Sequence, residues 1–595
     1  MKSTDLIQTC PFPRLIYSSS ADRGLDTLLY LFQFIRKEFP QATLHILYGF
    51  ENWNLAIDQR NNAQEKRWRD QIIKDMEQPG VHYYGRVSQD VVAKMYQFAD
   101  LWFYPTRFTE TFCWLPGTKV QSGFDMISMD KLSTGDMVLT HTGQHKQIIE
   151  ILSRLYQGEV LDIESTTTMR HLHCTPEHPM LAVLRKNQWQ GPQWVVAGKL
   201  SKKDYLVFPV NRKTADIERL QVSQIIDRQV GSYRVEEGMI AARSEVKNRT
   251  YTAKIQENIE ITEEFMRLCG FYLAEGSSCL NRSIVCFSFN SDEQDFISDV
   301  QFLAQKVFNI SPNRVETIDS TTNIIYNSRI LGEFFISLFG SGAAQKSLPD
   351  WFMTLPAHKQ KQLLVGLFQG DGCFIRRTNS VKMELASEKL IRQVWQILLR
   401  FDVVGGLYEN FKRVPKHPLG SGYHEEKRAY YTISYQWRKD DLNEAIGFKG
   451  RVYDKKTGQH SKIIGDYLWM PIRSIQKTPY KGVVYNLEVE DEHSYVVENV
   501  ATHNCITALE AQISKTAIVC TDLAALHTTV GDKGILLQGD AYTKEYREKA
   551  LQEVFAILKD EKRRNEMVER AFQWAKQQTW ETRAKEMLQI FGAMK

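Results

Sequence analysis

The feature that most constrains this chain is the interruption of one sequence pattern by another. Joining Phe112 directly to Cys505 gives the text Glu110-Thr-Phe-Cys-Ile-Thr-Ala-Leu-Glu510, in which seven residues separate two glutamates. The 392 residues from Cys113 to Asn504 lie between the two joined ends. A motif that becomes continuous only when a long segment is removed predicts that one folded unit is inserted into another.

The ends of this insert carry groups that can break and remake peptide bonds. The insert begins on the thiol of Cys113, ends on His503-Asn504 and is followed by a second thiol, that of Cys505. Only the thiolate is a strong nucleophile, and a thiol with a pKa near ~8.5 is mostly protonated at neutral pH, so the site must assist it. These termini predict a segment with the groups needed to excise itself.

Length and composition bound the remaining possibilities. A chain of 595 residues is too long for one hydrophobic core, which predicts three or more domains. A hydrophobic content of 43% and a charged content of 25% are typical of folded globular proteins. No apolar run reaches 18 residues and Met1–Asp5 lacks an apolar signal region, so we expect no membrane span and no secretion signal. A net charge of +4 does not by itself predict nucleic-acid binding.

The cysteines indicate a reducing environment. There are nine of them, an odd number, and none forms a Cys-x-x-Cys pair, which predicts free thiols and a cytoplasmic protein. His171 and His173 would share one face of a strand. No second cluster has metal-site spacing, so a metal is not predicted there.

The periodicity of the chain predicts a multidomain architecture. Strand-like and helix-like runs alternate in both flanks, which indicates a Rossmann-like α/β domain with a parallel sheet. Residues 118–210 and 466–500 carry short β-type runs with turns, whereas long helical segments dominate between them. We therefore expect an all-β domain that splits the α/β domain and itself contains a second α/β domain. The expected boundaries are 1–112 and 505–595 for the flanking domain, 113–240 and 464–504 for the all-β domain, and 255–450 for the innermost domain.

The insert resembles inteins over all of its 392 residues. The match combines Cys113, the Asn504-Cys505 junction and the block Thr175-Pro-Glu-His178, which fits the family's Thr-x-x-His pattern. The resemblance implies the all-β Hint, or horseshoe, fold. It also implies that His178 protonates the nitrogen of the scissile amide as it leaves, while Thr175 helps to hold that amide.

The same resemblance implies a series of steps that needs no cofactor. Cys113 attacks the carbonyl carbon of Phe112 to form a thioester, and Cys505 then takes over the acyl group. Asn504 cyclises through its side-chain nitrogen to a succinimide and cuts the chain, assisted by His503. An S-to-N shift finally leaves an ordinary amide between Phe112 and Cys505.

One position departs from the family pattern. Asn486, in Val-Tyr-Asn-Leu-Glu-Val, stands where many inteins carry aspartate. An amide side chain cannot act as a base. Proton transfer between the steps would then fall to His493 or to water.

A degenerate repeat lies in the centre of the insert. Leu268-Cys-Gly-Phe-Tyr-Leu-Ala-Glu-Gly276 aligns with Leu364-Val-Gly-Leu-Phe-Gln-Gly-Asp-Gly372, and both segments read as apolar helices that end in an acid followed by glycine. Gly270 and Gly366 would let the two helices approach closely, which brings the acids together at the helix ends. Adjacent carboxylates suit a divalent cation that prefers oxygen ligands.

This repeat resembles the paired LAGLIDADG homing endonucleases, in which divalent cations support hydrolysis of both DNA strands. By that resemblance, Glu275 and Asp371 would hold Mg²⁺. Lys346 matches the family's lysine block and would stabilise charge at the reacting phosphate. The implied partner is a double-stranded DNA homing site.

The joined flanks resemble the nucleotide-sugar-binding half of retaining GT-B glycosyltransferases, of the glycogen-synthase-like (family 4-like) class. Glu110 and Glu510 fit the family's Glu-x7-Glu motif and would contact the donor sugar and the ribose hydroxyls, respectively. Arg23 takes the place of the family's lysine beside the diphosphate, whereas Ser18 stands at the upstream arginine position, so one phosphate cation is missing. Amides at a helix N-terminus would partly compensate. The acceptor-binding half is expected on a separate chain, removed by truncation, or absent from a degenerate domain.

Two other hypotheses stay open at this point. The insert could be a permanent DNA-binding or regulatory module of an unspliced glycosyltransferase, but that hypothesis gives no reason for a thiol at each junction. A hedgehog-type autoprocessing domain would cleave only at its N-terminal thiol and would need neither Asn504 nor Cys505. The complete set of junction residues favours a self-splicing precursor with an embedded nuclease.

Overall fold

The structure is a computed structural model that describes most of the chain between residues 10 and 576. It does not describe residues 1–9, 20, 22, 48–49, 51–62, 86, 88, 107–113, 177, 227–232, 243–253, 416–424, 453–460, 493, 504–506, 524 and 577–595. Six residues singled out in the sequence, Glu110, Phe112, Cys113, His493, Asn504 and Cys505, therefore lie outside the described residues.

The flanking α/β domain is built on a six-stranded parallel sheet. Its strands, in their order across the sheet, are Val81–Tyr83, Thr43–Ile46, Arg14–Tyr17, Leu101–Tyr104, Ala517–Thr521 and Ile535–Leu537. Its helices are Leu25–Glu38, Ala63–Asp75, Gln89–Phe98, Thr507–Ile513, Ala525–Val530, Lys544–Lys559 and Glu561–Lys576, with a 3-10 turn at Gly531–Lys533. Numbered along the chain, the strand order is 3-2-1-4-5-6, that of a doubly wound sheet, which confirms the α/β prediction.

The two flanks meet inside this sheet. Leu101–Tyr104, the last described strand before the insert, pairs in parallel with Ala517–Thr521, the first strand after it. The helix Leu25–Glu38 packs its apolar face into the same core, at the helical spacing that the sequence predicts. The flanks therefore form one domain with one hydrophobic core, although 392 residues separate them along the chain.

Twelve strands in one antiparallel sheet form the sheet-rich part of the insert, called the β domain below. They are Lys119–Ser122, Asp125–Ser128, Met137–Leu139, His145–Ser165, Leu172–Cys174, Pro179–Val183, Gln193–Val196, Tyr205–Pro209, Lys462–Ile464, Tyr467–Val489, Ser494–Val497 and Val500–His503, with 3-10 turns at Met129–Lys131, Arg185–Gln190 and Ala197–Lys199. The two longest strands, His145–Ser165 and Tyr467–Val489, pair along almost their whole length. Residues on both sides of the innermost domain thus build one β domain.

The innermost domain consists of two halves with the same order of elements. The helices of the first half are Glu263–Glu275, Gln294–Phe308 and Arg329–Phe339, and its strands are Gly276–Cys279, Ile284–Asn290, Arg314–Ile318 and Thr321–Tyr326. The helices of the second half are Ala357–Asp371, Glu388–Arg400 and Asp441–Ile446, and its strands are Gly372–Ile375, Ser380–Leu385, Gly406–Pro415 and Glu425–Gln436. Each half forms a four-stranded sheet of order 1-2-4-3, so the sequence repeat is also a repeat of the fold. The first helix of each half ends in an acid, and we call these two the first and second carboxylate helices.

Short elements connect the β domain to the innermost domain. They are the strands Arg219–Gln221, Tyr233–Glu236, Met239–Ala242, Ile255–Gln256 and Asn258–Glu260, and the helix Val222–Ile225. The 3-10 turns Leu280–Arg282 and Asp350–Thr354 lie within the innermost domain. Several of these strands pair across residues 243–253. The β domain and the innermost domain share one continuous hydrophobic core, separate from that of the flanking domain.

The carboxylate helices pack against each other through two glycines. A Cβ atom on Gly270 would lie 2.3 Å from the carbonyl oxygen of Leu363, and one on Gly366 would lie 2.2 Å from that of Arg267. Both distances are far below van der Waals contact, and the atoms in the way belong to the backbone. The sequence-based prediction that these glycines permit close approach of the helices is confirmed.

Among the described residues, no helix combines the length and the apolar character that a membrane crossing requires. No disulfide joins the cysteines of the described residues, which are Cys10, Cys174, Cys269, Cys279, Cys286, Cys373 and Cys520.

Candidate functional site

The β domain places His178 between the two ends of the insert. The ring of His178 is fully buried and packs edge-on against Trp114, with ring centroids 4.7 Å apart. Its Nε2 atom hydrogen-bonds Oγ1 of Thr502. Trp114 follows Cys113 in the chain, and Thr502 lies two residues before Asn504. One side chain therefore contacts a residue beside each predicted junction.

The partners of His178 define its tautomer. Oγ1 of Thr502 donates its single hydrogen to the carbonyl oxygen of Pro179 at 3.0 Å, so it accepts from Nε2–H of His178. Nδ1 is then the unprotonated nitrogen, and it is buried without a hydrogen-bond partner in the described part of the chain. Burial lowers the pKa of His178 to about 3, so the ring is neutral at neutral pH.

Backbone pairing holds the first described residue of the insert in this sheet. The amide of Trp114 donates to the carbonyl of Tyr485 at 2.9 Å, and the amide of Tyr485 donates back at 2.8 Å. Trp114 also forms a β-bridge with Cys174, the residue before the fully buried Thr175. The Thr-x-x-His block therefore lies beside the N-terminal end of the insert, as the sequence predicts.

The departure at Asn486 has a structural counterpart. Asn486 is fully buried, and its Oδ1 accepts from the hydroxyl of Tyr495 at 2.6 Å and from the amide of Leu487 at 3.0 Å. Tyr495 lies on Ser494–Val497, which pairs with Val500–His503; these two strands are called the C-terminal hairpin. The amide of Asn486 thus ties the long strand to the hairpin that leads to the second junction.

The structure also shows functional neighbours that the sequence did not single out. Trp114, Tyr495 and Thr502 all touch the groups just described. Each is an ordinary strand residue by type. Only the positions of Trp114 and Thr502, next to the junction motifs, could have indicated them.

A second candidate site lies at the ends of the carboxylate helices. A Cβ atom on Gly370 would lie 3.1 Å from Cγ and 3.5 Å from Oε1 of Glu275, so Glu275 lies against the residue that precedes Asp371. Burial first, and the charge of Asp371 second, raise the pKa of Glu275 to about 7. Burial also raises the pKa of Asp371 to about 6, although the charge of Lys346 acts in the opposite direction. The two predicted acids are therefore brought together, each destabilised as an anion.

This acid pair fits a hard divalent cation. No group of three or more His, Cys, Asp or Glu within the described ranges is arranged to hold a metal ion. Mg²⁺, however, is commonly held by one or two carboxylates together with water and phosphate oxygens. Burial raises the pKa of both Glu275 and Asp371, and a cation bound between them would stabilise their charged forms.

Lys346 lies beneath the acid pair. Its buried Nζ donates to the carbonyl oxygens of Tyr272, Leu273 and Gly276 at 2.7, 3.0 and 2.7 Å, so its three hydrogens are all taken. Burial lowers the pKa of Lys346 to about 8, while both acids act to raise it. A direct hydrogen bond to any further group would break one of these bonds, and Lys346 closes the end of the first carboxylate helix.

His171, just before the strand Leu172–Cys174, and His173, within it, lie on one face, as predicted. Nδ1 of His171 lies 2.7 Å from Oδ1 of Asp162, and Nε2 of His173 lies 3.7 Å from Oδ2 of the same carboxylate. The two imidazole rings are about half exposed. They form a surface ion cluster outside both sites.

The sheet of the flanking domain has a topological switch point, the place where doubly wound folds form a crevice. The chain reverses direction across the sheet between the first strand and Leu101–Tyr104. Gly24, which precedes the helix Leu25–Glu38, has a φ of +103°, and a Cβ on it would lie 2.4 Å from the carbonyl oxygen of Pro105. The N-terminus of that helix therefore lies against the carboxyl end of Leu101–Tyr104, a few residues before Glu110.

The other predicted donor-site residues surround this crevice to different degrees. Arg23 directly precedes the helix and is largely buried. The hydroxyl of Ser18 hydrogen-bonds the hydroxyl of Tyr96. Asp26 already places a carboxylate in the first turn of the helix, where Trp68 Nε1 donates to it at 3.2 Å. Position 510 lies in a helix on the other side of the insert.

An all-β domain inserted within another domain, with a neutral histidine between its two ends, is the arrangement of a self-processing segment. The family model of the intein splicing domain matches residues 123–504, more than half of the chain. The chain belongs to the intein splicing-domain family, whose splicing domain is autocatalytic. The match ends on Asn504, the predicted last residue of the insert.

Relatives of known sequence share part of their length with this chain. An uncharacterized protein of Methanocaldococcus jannaschii is 30% identical over 424 residues, which cover 65% of this chain and 49% of that protein. The ATP-dependent DNA helicase Hel308 of Thermococcus kodakarensis is 25% identical over 421 residues, 65% of this chain and 36% of the helicase. An iron-sulfur cluster assembly SufBD family protein of Mycobacterium tuberculosis is 23% identical over 408 residues, with coverages of 64% and 41%. The chain spans less than half the length of these relatives, and their names assign no activity to its flanking domain.

Two solved structures show weak overall similarity. The N-terminal LAGLIDADG domain of DUF199/WhiA is 16% identical and aligns with 34% of this chain and 88% of its own, with a TM-score of 0.22. A mutant of the Ssp DnaB mini-intein variant M86 is 12% identical, with coverages of 18% and 66% and a TM-score of 0.14. TM-scores of this size do not establish a common fold.

The buried, neutral His178 makes stability depend on pH. Folding lowers its pKa from the ordinary 6.5 to about 3, so below pH 6.5 the unfolded chain binds a proton that the folded chain does not. The free energy of unfolding is therefore at its full value above pH 6.5, and it decreases as the pH falls towards the pKa of the folded state. We expect the free energy of unfolding of a Cys113→Ala/Asn504→Ala chain to drop by about 2 kcal/mol more, between pH 7 and pH 5, than that of the same chain with His178→Gln. Urea unfolding at both pH values measures this difference.

The exposed His171 supplies the control for this measurement. His171→Gln removes an imidazole whose ring is about half exposed, and so controls for the substitution itself. An identical pH dependence with and without His178 would contradict the neutral, buried state of that ring.

Proposed function

We propose that the insert excises itself and joins Phe112 to Cys505. The observation that carries this proposal is the position of His178, whose ring contacts Trp114 beside one junction and Thr502 beside the other. Membership of the intein splicing-domain family supports the chemistry. The shared parallel sheet keeps the two flanks together while their covalent connection is exchanged.

The first step is an acyl shift at the N-terminal junction. The sulfur of Cys113 attacks the carbonyl carbon of Phe112, the C–N bond breaks, and the nitrogen takes up a proton. Nδ1 of His178 carries a free lone pair on a neutral ring, so it can take the thiol proton and pass it to the leaving nitrogen. Burial holds the pKa of this ring far below that of the thiol, so the ring carries the proton only transiently on its way to the leaving nitrogen. Thr175 would hold the amide during this exchange.

The later steps move the acyl group and release the insert. Cys505 attacks the thioester and frees the Cys113 thiol. The side-chain nitrogen of Asn504 then attacks its own carbonyl carbon, forms a succinimide and breaks the bond to Cys505, with His503 assisting. Finally the acyl group moves from sulfur to the amino nitrogen of Cys505. Asn486 fits a structural role here, because its carbonyl oxygen is already bonded to Tyr495 and Leu487.

Intact mass measurement of the expressed chain tests splicing directly. We expect the 69.0 kDa precursor to yield a ligated product of ~23 kDa and an insert of ~45 kDa, from ordinary mean residue masses. Asn504→Ala should abolish C-terminal cleavage, because no succinimide can form, while added thiol still cleaves at Cys113. Cys279→Ala, at an exposed cysteine in the innermost domain, is the control and should splice normally. A ligated product from the Asn504→Ala chain would refute the mechanism.

We propose that the innermost domain is a DNA endonuclease of the LAGLIDADG type. The observation behind this proposal is the duplicated fold whose two glycine-packed helices end at Glu275 and Asp371. These two carboxylates would hold Mg²⁺, which when bound supplies Lewis-acid catalysis of phosphodiester hydrolysis. The positive charge of Lys346, fixed beneath them, limits the repulsion between the two acids.

The four-stranded sheet in the second half of the innermost domain offers a surface for the DNA backbone. Its residues alternate between the core and the outer face, with Val381 and Met383 buried and Lys382 outward. A cavity of about 1340 Å³ includes part of this sheet and part of the β domain. Its basic lining residues are Lys202, Lys203, Arg212, Arg438, Lys439, Arg451, Lys462 and Arg473. Such an excess of basic residues suits a polyphosphate strand.

Cleavage of DNA that encodes the joined flanks, without the insert, tests the nuclease. With Mg²⁺ we expect a double-strand cut at the junction sequence, and at least a 100-fold slower cut by Glu275→Gln, because one ligand carboxylate is lost. Splicing by Glu275→Gln should be unchanged. Glu263→Gln, at the opposite end of the same helix, should cut like the original protein. Loss of splicing in the Glu275→Gln chain would mean that the two activities are not separable.

We propose that the joined flanks bind a nucleotide-sugar, as the donor half of a glycosyltransferase does. Support comes from the 3-2-1-4-5-6 strand order and from the helix N-terminus packed at Pro105, at the position where such sheets bind ligands. Glu110 and Glu510 lie on either side of the insert in sequence, and the proposal assigns them to this crevice. Transfer of the sugar to an acceptor would follow this binding of the nucleotide-sugar.

Calorimetric titration of the ligated flanks with UDP-, ADP- and GDP-sugars tests this proposal. We expect one of the three to bind, and Glu510→Gln to weaken its binding at least 10-fold by removing the acceptor for the ribose hydroxyls. Glu548→Gln, at an exposed ion pair on another helix, should bind normally. A ligated product that binds none of the three would exclude the donor-binding role.

A further inference from the structure

A cluster of buried and half-buried charges joins the innermost domain to the C-terminal hairpin. Its members are Arg170, Glu388, Arg392, Glu409 and Glu498. Arg170 and Glu498 belong to the β domain, and the other three belong to the innermost domain. The splicing and cleavage chemistry proposed above uses none of these residues.

Glu498 occupies the turn of the C-terminal hairpin. Glu498 and Asn499 have φ values of 44° and 68°, the left-handed pair of a two-residue hairpin turn, where glycine, asparagine and aspartate are favoured. Glutamate at the first of these positions gives no advantage to the turn itself. Its side chain is only 3% exposed, and its carboxylate accepts from Nη2 of Arg392 at 3.1 Å. The ion pair therefore accounts for a residue that turn chemistry does not.

Arg392 is held equally firmly on the other side. It projects from the helix Glu388–Arg400 with 3% of its side chain exposed, and its Nε donates to Oε1 of Glu388 at 3.1 Å. Arg170 binds both oxygens of that same glutamate, at 2.6 and 3.0 Å, and donates to Glu409 at 2.9 Å. A buried charge that loses its partner is strongly unfavourable, so this network allows only one placement of the turn.

The lowered pKa of Glu388 keeps its carboxyl group deprotonated and charged. Burial acts to raise its pKa, but the hydrogen bond from Arg170 and the charges of both arginines dominate and lower it to about 2. At neutral pH Glu388 is therefore charged and lies between the two arginines.

The hairpin thus has contacts at its turn as well as along its strands. The turn at Glu498 is held by Arg392 of the innermost domain, and the far end is held by the contact between Thr502 and His178. The strand between them, Val500–His503, leads directly to the predicted junction. Its position is therefore set partly by a domain that the splicing chemistry does not use.

We propose that Arg392 and Glu498 are positioning residues for cleavage at the C-terminal junction, so that the innermost domain also acts as a scaffold for splicing. The proposal rests on the proposed splicing function. It assigns the scaffold to the helix Glu388–Arg400, away from the acid pair at Glu275 and Asp371. Residues that only cut DNA and residues that hold the hairpin are then separate within one domain.

Rates of the two cleavage steps, measured apart, test the proposal. C-terminal cleavage is followed in a Cys113→Ala chain, and thiol-induced N-terminal cleavage in an Asn504→Ala chain, both by intact mass. We expect Arg392→Met to slow C-terminal cleavage at least 10-fold and N-terminal cleavage less than 2-fold. The two parent chains show whether splicing chemistry occurs at all, so failure of the proposed function is seen before any network variant is made.

Three further variants define the cause. Lys389→Met lies on the same helix and removes only the exposed pair with Asp125, so it should cleave like its parent. Arg392→Lys keeps the charge and should recover part of the rate. The double variant Arg392→Met/Glu498→Gln removes both buried charges and should cleave faster than Arg392→Met alone. An unchanged C-terminal rate in Arg392→Met, or equal losses in both steps across these variants, would overturn the proposal.

Discussion

The antiparallel pairing of His145–Ser165 with Tyr467–Val489 is the interaction on which the rest of the insert depends. It joins two strands that are separated in sequence by the whole innermost domain. Because Trp114 pairs with Tyr485 on the second of these strands, the pairing also brings the N-terminal end of the insert to the hairpin that carries the C-terminal end. The chemistry of excision requires both ends at one place, and this ribbon of two strands is what creates that place.

Much of the architecture could be predicted because it depends on short-range patterns. Helical spacing in Leu25–Glu38, strand runs in the flanks and the paired Gly270 and Gly366 each follow from residues that are close together in the chain. The buried His178 could be predicted as well, because its motif is local even though its contacts are not. The role of Trp114 could not, since a tryptophan beside a cysteine carries no signal until the sheet brings the histidine to it.

Charged residues were harder to interpret from sequence, for a physical reason. The effect of a charge depends on which opposite charges and carbonyl groups surround it after folding, and these come from distant positions. Lys346 matched a family motif, yet its three hydrogens are bound to the end of a helix about seventy residues earlier. Arg392 and Glu498 are separated by more than a hundred residues and have no shared pattern in sequence. Only the folded structure shows that they form one buried pair.

The parallel pairing of Leu101–Tyr104 with Ala517–Thr521 has a consequence for precursors that cleave at both junctions without ligation. The flanks would then be separate polypeptides, yet they would still share a sheet and a core of buried side chains from both sides. Such a product would be a non-covalent complex of two fragments that together form one folded domain. The sheet and the core, rather than a peptide bond between the flanks, would hold such a domain together.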